Sequence, residues 1–378
     1  MTRRTYKDGT MRSEALMTLA LAEAERALGN TSPNPMVGAV IARGDDEMPI
    51  AFGYHERAGT AHAEAVALGR AGAEARGATL YVNLEPCDHE GATPPCTRAI
   101  IEAGIARVVV ATLDEDERAR GAGIRRLRAA GIHVELGCGE ERARELNRMY
   151  LHQRRTGRAF VTLKMAQSLD GAIAPKSGER YALTGRAATA HVRRLRFEHD
   201  AVMVGIGTVL VDDPQLTVRP YRERAVPYRR IVVDSSARLP LDKKLVTDRA
   251  RATTLVATNA SAPRERIDDL RSAGIDVLAC GTSDGGRVDL RDLLERLGSL
   301  GMLGVLCEGG PTLASALLEA GLVDELHTLV APVVLGTAAT APAFHGLSQS
   351  RHLRVRSVRK LGDDVLIVSR PDGIASGV

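Results

Sequence analysis

The chain has 378 residues, with 51 Lys and Arg against 47 Asp and Glu and a formal net charge of +4. This length is large for one hydrophobic core, so two or three domains are expected. The nearly balanced charge, the absence of Trp, an aromatic content of 3% and the lack of a long apolar run argue against nucleic-acid and membrane partners.

Helices and strands are predicted to alternate through the first 145 residues. Apolar periodicity favours a helix over 13–29, a strand over 37–42 and a helix over 61–76 with Thr60 as its N-cap. Further strands are predicted at 78–84, 107–111 and 132–136, and further helices at 97–103 and 124–130. This alternation is typical of an α/β domain. A polar, Arg-rich connector follows over 140–157 and is expected to be partly helical.

A second α/β series begins at residue 160. Strands are predicted at 160–164, 201–205, 230–234, 254–257 and 305–307, and a helix at 311–320. Two of these strands lead into the glycine loops GIGT at 205–208 and EGGPT at 308–312. Glycine lets backbone N–H groups approach a phosphate, and a following helix N-terminus attracts anions, so the loops indicate a nucleotide or phosphate site. Ordinary strand-to-helix turns explain either loop taken alone, and neither completes the G-x-G-x-x-G pattern.

The first series carries the residues of a zinc deaminase. His62, Cys87 and Cys96 offer one imidazole and two thiolates, and three such ligands leave a fourth tetrahedral position for water. Glu64 is the expected proton shuttle, as in deaminases that combine H-x-E with P-C-x-x-C, although here eight residues separate the two Cys. His62 and Glu64 lie two residues apart and would diverge on a regular helix. They can therefore serve one metal only if it lies beyond the helix's first turn.

The other three cysteines, Cys138, Cys280 and Cys307, are scattered along the chain. Free thiols in this arrangement suit a reducing compartment, so a cytoplasmic location is expected.

With both halves in view, the chain resembles the bifunctional riboflavin-biosynthesis deaminase/reductase family over about residues 11–370. The matching motifs, in chain order, are PNPMVG (33–38), AHAE (61–64), EPCDHEG (85–91), TPPC (93–96), SLDG (168–171), GTVLVDDP (207–214), LTVR (216–219), EGGPTL (308–313) and GLVDEL (321–326). The resemblance implies an α/β fold with two domains. A cytidine-deaminase-like three-layer domain would span 11–145, and a dihydrofolate-reductase-like domain would span 158–373.

The resemblance also implies two successive reactions on a GTP-derived phosphoribosylaminopyrimidine. Hydrolysis replaces the 2-amino group with oxygen, and hydride transfer from NADPH opens the ribose to a ribityl chain. Zinc is expected on His62, Cys87 and Cys96, with Glu64 catalytic, and a homo-oligomer is the family expectation. The remaining positions carried over are Asn34 and His89 for the deaminase substrate, Ala166, Thr208, Asp212, Ser235, Gly309, Gly310 and Thr312 for NADPH, and Arg196, Leu216, Arg219 and Glu308 for the sugar phosphate.

Four positions depart from the family pattern. Ala92 and Ala172 stand where Lys or Arg is usual, Asp116 lies in an acidic turn in place of Asp-Pro-Asn-Pro, and Ala182 replaces a Trp. A diverged paralog, with an active deaminase and a weakened or repurposed reductase in a pyrimidine-derived secondary-metabolite pathway, is therefore the alternative function. Compensation by nearby cations such as Arg98 or Lys176 is the other explanation. A nucleic-acid-editing deaminase and a metal-stabilised binding protein fit less well.

Overall fold

A computed structural model describes residues 3–43, 48–91, 94–117, 119–218, 224, 226–336 and 341–372. The chain divides into two compact units, Met1–Gly157 and Arg158–Val378. Among the described helices, none combines the length and the apolar character that a membrane span requires.

The first unit is built on a five-stranded mixed sheet. The strand order is β2-β1-β3-β4-β5, in which β1 runs antiparallel to β2 and β3, and β3, β4 and β5 are parallel. Its elements in chain order are α1 (Arg3–Glu25), β1 (Gly38–Arg43), β2 (Met48–Tyr54), α2 (Ala63–Ala71), β3 (Thr79–Val82), α3 (Cys96–Ala103), β4 (Arg107–Val110), α4 (Ala122–Ala129), β5 (His133–Leu136), α5 (Glu140–Leu146) and α6 (Arg148–Thr156).

Two glycines show how closely helices cover both faces of this sheet. A Cβ at Gly38 would lie 2.0 Å from the Ala20 carbonyl oxygen of α1, and one at Gly53 would lie 2.2 Å from the Ala63 carbonyl oxygen of α2. Gly53 pairs with Ala39, whose side chain points to the face opposite that of Gly38. The helices α1 and α2 therefore pack on opposite faces, which confirms the three-layer arrangement.

The predicted elements of this unit are present, with shifted ends. The helix predicted over 61–76 begins at Ala63 and ends in a 3₁₀ turn over Gly72–Ala75. The prediction of Thr60 as N-cap is wrong, because its hydroxyl donates to the Arg57 carbonyl at 2.7 Å and His62 occupies the cap position. Strand β2 was not predicted.

The second unit is built on a nine-stranded sheet of order β11-β10-β9-β8-β12-β6-β13-β16-β15, with a separate pair β14-β7. Strands from β11 to β13 in this order are parallel, and β16 and β15 are antiparallel. Its elements are β6 (Phe160–Gln167), β7 (Ala172–Ala174), α7 (Arg186–Glu198), β8 (Ala201–Gly205), α8 (Ile206–Asp212), β9 (Arg229–Val233), α9 (Lys244–Thr247), β10 (Thr254–Thr258), α10 (Arg264–Ser272), β11 (Asp276–Ala279), α11 (Leu290–Ser299), β12 (Gly304–Cys307), α12 (Pro311–Glu319), β13 (Glu325–Val330), β14 (Ala341–Pro342), β15 (Leu353–Leu361) and β16 (Asp364–Pro371).

The central parallel strands are buried on both faces. In β8, Met203 joins one apolar cluster, and Val202 and Val204 join the cluster on the opposite face. A continuous apolar run is typical of such strands. Their carboxyl ends meet at one edge of the sheet, where open α/β sheets bind ligands.

Candidate active sites

The first unit brings the three predicted zinc ligands together. The ligand atoms of His62, Cys87 and Cys96 all lie within 4.8 Å of one another. His62 Nδ1 is 3.2 Å from Cys96 Sγ and 3.5 Å from Cys87 Sγ. Within the described part of the chain this is the one group of three or more His, Cys, Asp or Glu side chains arranged to hold a metal.

The cluster lies at the N-termini of two helices, α2 and α3, which allows His62 and Glu64 to serve one site although they are two residues apart. His62 has the extended backbone of an N-cap, with φ −71° and ψ 159°, so the helical repeat does not separate it from Glu64 in the first turn of α2. Cys96 is the first residue of α3, and its N–H donates to Cys87 Sγ at 3.4 Å. Helix N-termini carry partial positive charge and stabilise thiolates and carboxylates. The metal position therefore lies beyond the first turn of α2, as the sequence required.

Burial and mutual contact set the protonation of these side chains. Glu64 is 3% exposed, and burial together with the nearby Cys87 thiolate raises its pKa to about 7. The hydrogen bond with Cys96 lowers the pKa of Cys87, and the same bond raises the pKa of Cys96. The hydrogen bond with Cys87 raises the pKa of His62. Two thiols that share a proton beside an imidazole form a donor set that suits zinc.

The predicted substrate residues of this unit differ in their surroundings. Asn34 Nδ2 donates to His55 Nε2 at 3.0 Å, and His55 Nδ1 lies 3.2 Å from the Ala61 carbonyl oxygen. The carbonyl can only accept a hydrogen bond, so Nδ1 carries the ring proton and donates it, and Nε2 accepts from Asn34. The His55 ring also meets His62 edge-on, with 5.4 Å between centroids. His89 is exposed. Sequence reasoning missed His55, although a histidine seven residues before a metal ligand is a usable signal.

A buried carboxylate anchors the segment that carries Cys87. Glu85 accepts hydrogen bonds from the N–H groups of Gly121 at 2.9 Å and Ile124 at 3.3 Å. Gly123 lies so close that a Cβ there would be 1.9 Å from the Pro86 carbonyl oxygen. The start of α4 therefore fixes the two residues that precede this ligand.

The acidic turn at 114–117 has partners of its own. Tyr150 donates to Asp114 at 3.1 Å, Arg144 pairs with Glu115 at 3.1 Å, and Arg154 lies 3.8 Å from Asp116. Arginines from the neighbouring helices α5 and α6 thus balance the charge that this departure introduces. Ala92, another departure, lies outside the described residues.

The second unit contains a cavity of about 1300 Å³ at the carboxyl ends of β6, β8, β9 and β12. All the positions expected to contact NADPH line it: Ala166, Thr208, Asp212, Ser235, Gly309, Gly310 and Thr312.

The two glycine loops form one wall of this cavity. The Gly310 N–H donates to Thr208 Oγ1 at 3.0 Å, which joins the loop after β12 to the first turn of α8. A Cβ at Gly309 would lie 2.8 Å from Leu313 Cδ2 and 3.4 Å from the Gly205 nitrogen. A side chain at position 309 would therefore crowd Leu313, and the two loops lie close enough together to act as one backbone cradle.

The predicted sugar-phosphate residues are arranged around Glu308, which lines the cavity. Arg196 holds this carboxylate with two hydrogen bonds, at 2.5 and 2.9 Å, and also donates to the Thr217 carbonyl at 3.1 Å. Leu216 is buried with φ +51°. Arg196 and Leu216 are not among the described residues that line the cavity, and Arg219 lies outside the described residues.

Lys164 is a site residue that sequence reasoning missed. It lines the cavity from β6, where burial lowers the pKa of its ammonium group and the nearby Glu308 carboxylate acts in the opposite direction. Two positions of this unit, Ala172 and Ala182, depart from the family pattern. Ala182 lines the cavity, and Ala172 is not among the described residues that line it. Lys164 stands in a strand that otherwise resembles core, which hid it from pattern analysis.

Two family models match the chain. The RibD C-terminal domain matches residues 159–367, and the cytidine and deoxycytidylate deaminase zinc-binding region matches residues 10–112.

Full-length relatives and solved structures agree with these matches. The chain is 40% identical to riboflavin biosynthesis protein RibD of Aquifex aeolicus, over 93% of this chain and 96% of the relative, and 39% identical to RibD of Escherichia coli, over 94% and 99%. The structure of Acinetobacter baumannii RibD, form 1, matches with a TM-score of 0.86 at 38% identity, over 96% and 99% of the two chains. A diaminohydroxyphosphoribosylaminopyrimidine deaminase/5-amino-6-(5-phosphoribosylamino)uracil reductase from Thermotoga maritima matches with a TM-score of 0.82 at 32% identity, over the same shares.

Proposed function

The chain belongs to the RibD family of riboflavin biosynthesis, and from this premise we propose which of its residues carry each of the two reactions. It is a bifunctional enzyme, a zinc-dependent deaminase joined to an NADPH-dependent reductase, that acts on a GTP-derived phosphoribosylaminopyrimidine. Likeness along the whole length of RibD chains favours this function over the diverged-paralog alternative. We assign the deaminase to residues 11–145 and the reductase to 158–373.

The observation that carries the deaminase assignment is the cluster of His62, Cys87 and Cys96 beside the buried Glu64. The donor set fits zinc, since two soft thiolates and an imidazole converge there. His62 and Cys96 lie at two helix N-termini, and Cys87 lies in the loop between β3 and α3. Zinc, when bound there, supplies the Lewis acidity that makes water nucleophilic near neutral pH.

Glu64 moves the protons of the hydrolysis. Its carboxylate oxygen accepts one proton from the attacking water as the C–O bond forms and passes it to the ring nitrogen. It then takes the remaining proton from the new hydroxyl group and delivers it to the amine as the C–N bond breaks and ammonia leaves. Burial supports this role because it brings the carboxyl pKa to about 7, near the operating pH. Asn34, oriented by His55, binds the pyrimidine, and His89 contributes from the exposed loop.

The reductase assignment rests on the cavity of the second unit, which all seven NADPH positions line. NADPH, when bound, supplies the hydride that converts the ribosyl carbon to a ribityl carbon. Opening the ribose ring also requires a proton on the ring oxygen. We assign that proton to the Lys164 ammonium group and the orientation of the sugar to Glu308, since both residues line the cavity and Arg196 holds the Glu308 carboxylate. For Leu216 and Arg219, the assignment to the sugar phosphate is supported by the family resemblance alone.

Location and assembly follow from other observations. All five cysteines are free, which supports a reducing, cytoplasmic location. The edge strand β15 exposes Val355 and Val358, at 56% and 62%. An exposed edge of this kind supports a homo-oligomer, and sedimentation equilibrium would measure its size.

Product analysis by mass spectrometry with the family substrate tests both assignments. We expect deamination without NADPH and a further gain of two hydrogens when NADPH is added. Glu64→Gln should lower deamination by a factor of about 10² to 10⁴ while zinc content stays constant, whereas Cys96→Ser should lower zinc content itself. Normal turnover in Glu64→Gln would assign the proton transfers to another group.

A further inference from the structure

The strand order of the second unit defines two ends of the cofactor cavity. Lys164 on β6 and Glu308 after β12 both line the cavity, and under the proposed function they mark the end where the sugar meets the reducing group. The glycine loops after β8 and β12 form the middle, which suits a pyrophosphate. Strand β9 lies three strands from β6 in the order β9-β8-β12-β6, roughly 14 Å away at 4.8 Å per strand. An extended dinucleotide with its nicotinamide at β6 therefore places its adenosine beside the end of β9.

This far end of the cavity carries three guanidinium groups. Arg238 follows β9, Arg287 precedes α11, and Arg291 lies in the first turn of α11, and all three line the cavity. A hydrogen bond of 3.0 Å from the Val288 N–H to Ser235 Oγ ties the segment that carries Arg287 to the end of β9. The residue next to Arg287 is therefore in contact with Ser235, and Arg238 and Arg291 line the same cavity.

Two of these guanidinium groups are available to a ligand. Arg238 lies 3.6 Å from the Asp234 carboxylate. For Arg287 and Arg291, the described residues contain no side-chain ion-pair partner within 4.0 Å, and both are exposed. Asp289, a carboxylate of the cavity wall between these two arginines in the sequence, accepts hydrogen bonds from the N–H groups at the start of α11, at 2.9 and 3.2 Å.

We propose that Arg287 and Arg291 bind the 2′-phosphate of the adenosine ribose and thereby make this reductase select NADPH over NADH. The inference rests on the proposed use of this cavity by NADPH. A phosphate monoester carries nearly two negative charges and three acceptor oxygens, and planar guanidinium groups bind it through paired hydrogen bonds. Ser235 supports the same ligand, because its oxygen accepts from Val288 and its hydroxyl proton is left to donate.

Calorimetric titration of the full chain with two small probes tests this proposal. Adenosine 2′,5′-bisphosphate and 5′-AMP differ only in the 2′-phosphate, and NADPH and NADH form a second matched pair. In the variant Arg287→Ala/Arg291→Ala, we expect the Kd of the bisphosphate and of NADPH to rise on the order of tenfold or more, because charged hydrogen bonds to phosphate are lost. The Kd of 5′-AMP and NADH should stay within about twofold of wild type.

The control is Arg264→Ala, an exposed arginine at the start of α10 that is not among the described residues lining the cavity. It should leave all four affinities unchanged. Retained binding of 5′-AMP by the double variant shows that its fold and adenosine pocket are intact. An equal loss for both members of each pair, or no loss at all, would overturn the proposal while leaving the NADPH assignment in place. A wild-type chain that binds neither dinucleotide would overturn the cofactor assignment and the proposal together.

Discussion

Gly123 of α4 packs against Pro86, the residue before the predicted zinc ligand Cys87, and this contact predicts that α4 positions the ligand. A Cβ at Gly123 would lie 1.9 Å from the Pro86 carbonyl oxygen, whereas ordinary van der Waals contact begins at 3.4 Å. The substitution Gly123→Ala must therefore push the two backbones apart by roughly 1.5 Å. Pro86 precedes the ligand Cys87, so the displacement is transmitted to the metal site.

The size of the effect follows from the rigidity of the neighbours. Glu85 holds the same stretch of α4 through hydrogen bonds from Gly121 and Ile124. Overpacking by one methyl group in such a place costs about 1–3 kcal/mol. We therefore expect Gly123→Ala to lower the free energy of unfolding by about 1–3 kcal/mol, and to weaken zinc binding because one thiolate moves away from its partners.

Urea denaturation and zinc competition with a chelator measure the two effects separately. Gly69→Ala is the matched control, since Gly69 lies within α2 with open space around its Cβ position. Alanine is the better helix former by about 0.5–1 kcal/mol, so this control should stabilise the protein slightly and leave zinc affinity unchanged. If Gly123→Ala matched wild type in both assays, α4 would not position the metal segment.

Two further predictions concern the second unit. Lys164→Gln should lower NADPH-dependent reduction by a factor of about 10² to 10⁴ because the group proposed to protonate the ring oxygen is lost, with deamination unchanged in the same mass-spectrometric assay. Burial, with the charges of His327, Arg359 and Arg194, lowers the pKa of His191 to about 4 from its usual 6.5. The folded protein therefore binds a proton at His191 less readily than the unfolded chain does. The free energy of unfolding should be highest above pH 6.5 and should fall as the pH drops towards 4. His191→Gln should therefore show a weaker loss of unfolding free energy over that range in urea titrations, and parallel curves would contradict this.

The deaminase chemistry could be predicted because its residues carry their signal locally. His62, Glu64, Cys87 and Cys96 are chemically distinctive, and each lies next to a recognisable strand end or helix start. His55 and Lys164 gain their meaning only in three dimensions. The partner of His55 lies 21 residues earlier, and Lys164 interacts with a carboxylate at position 308.

The strands missed by pattern analysis share a related cause. β15 has exposed side chains along most of its length, so its sequence lacks the apolar alternation of a half-buried strand. Its pairing is determined by β16, whose Leu366 and Val368 are buried. β2 contains Pro49 and Gly53, and its place depends on the register with β1 and the close approach of α2. Tertiary contacts therefore decide these strands.

The absence of a cation at position 172 illustrates the same point in the reductase. The sequence pattern predicts that Ala172 removes a charge from the site, which would make Ala172→Lys a gain-of-function change. In the structure Ala172 is 5% exposed, and its N–H donates to Ser168 Oγ at 3.0 Å. It is also not among the described residues of the cavity wall, which already contains Lys164.

Ala172→Lys should therefore leave NADPH-dependent reduction no faster than wild type. The long side chain has no space in β7, so the variant should lose about 1–3 kcal/mol of unfolding free energy. Single-turnover reduction of the deaminated intermediate, alongside urea denaturation, separates the two effects. Ala182→Lys is the comparison, because Ala182 is exposed in the cavity wall and can accept a longer side chain. Faster reduction by Ala172→Lys at unchanged stability would mean that position 172 faces the substrate and that Lys164 does not supply the required charge.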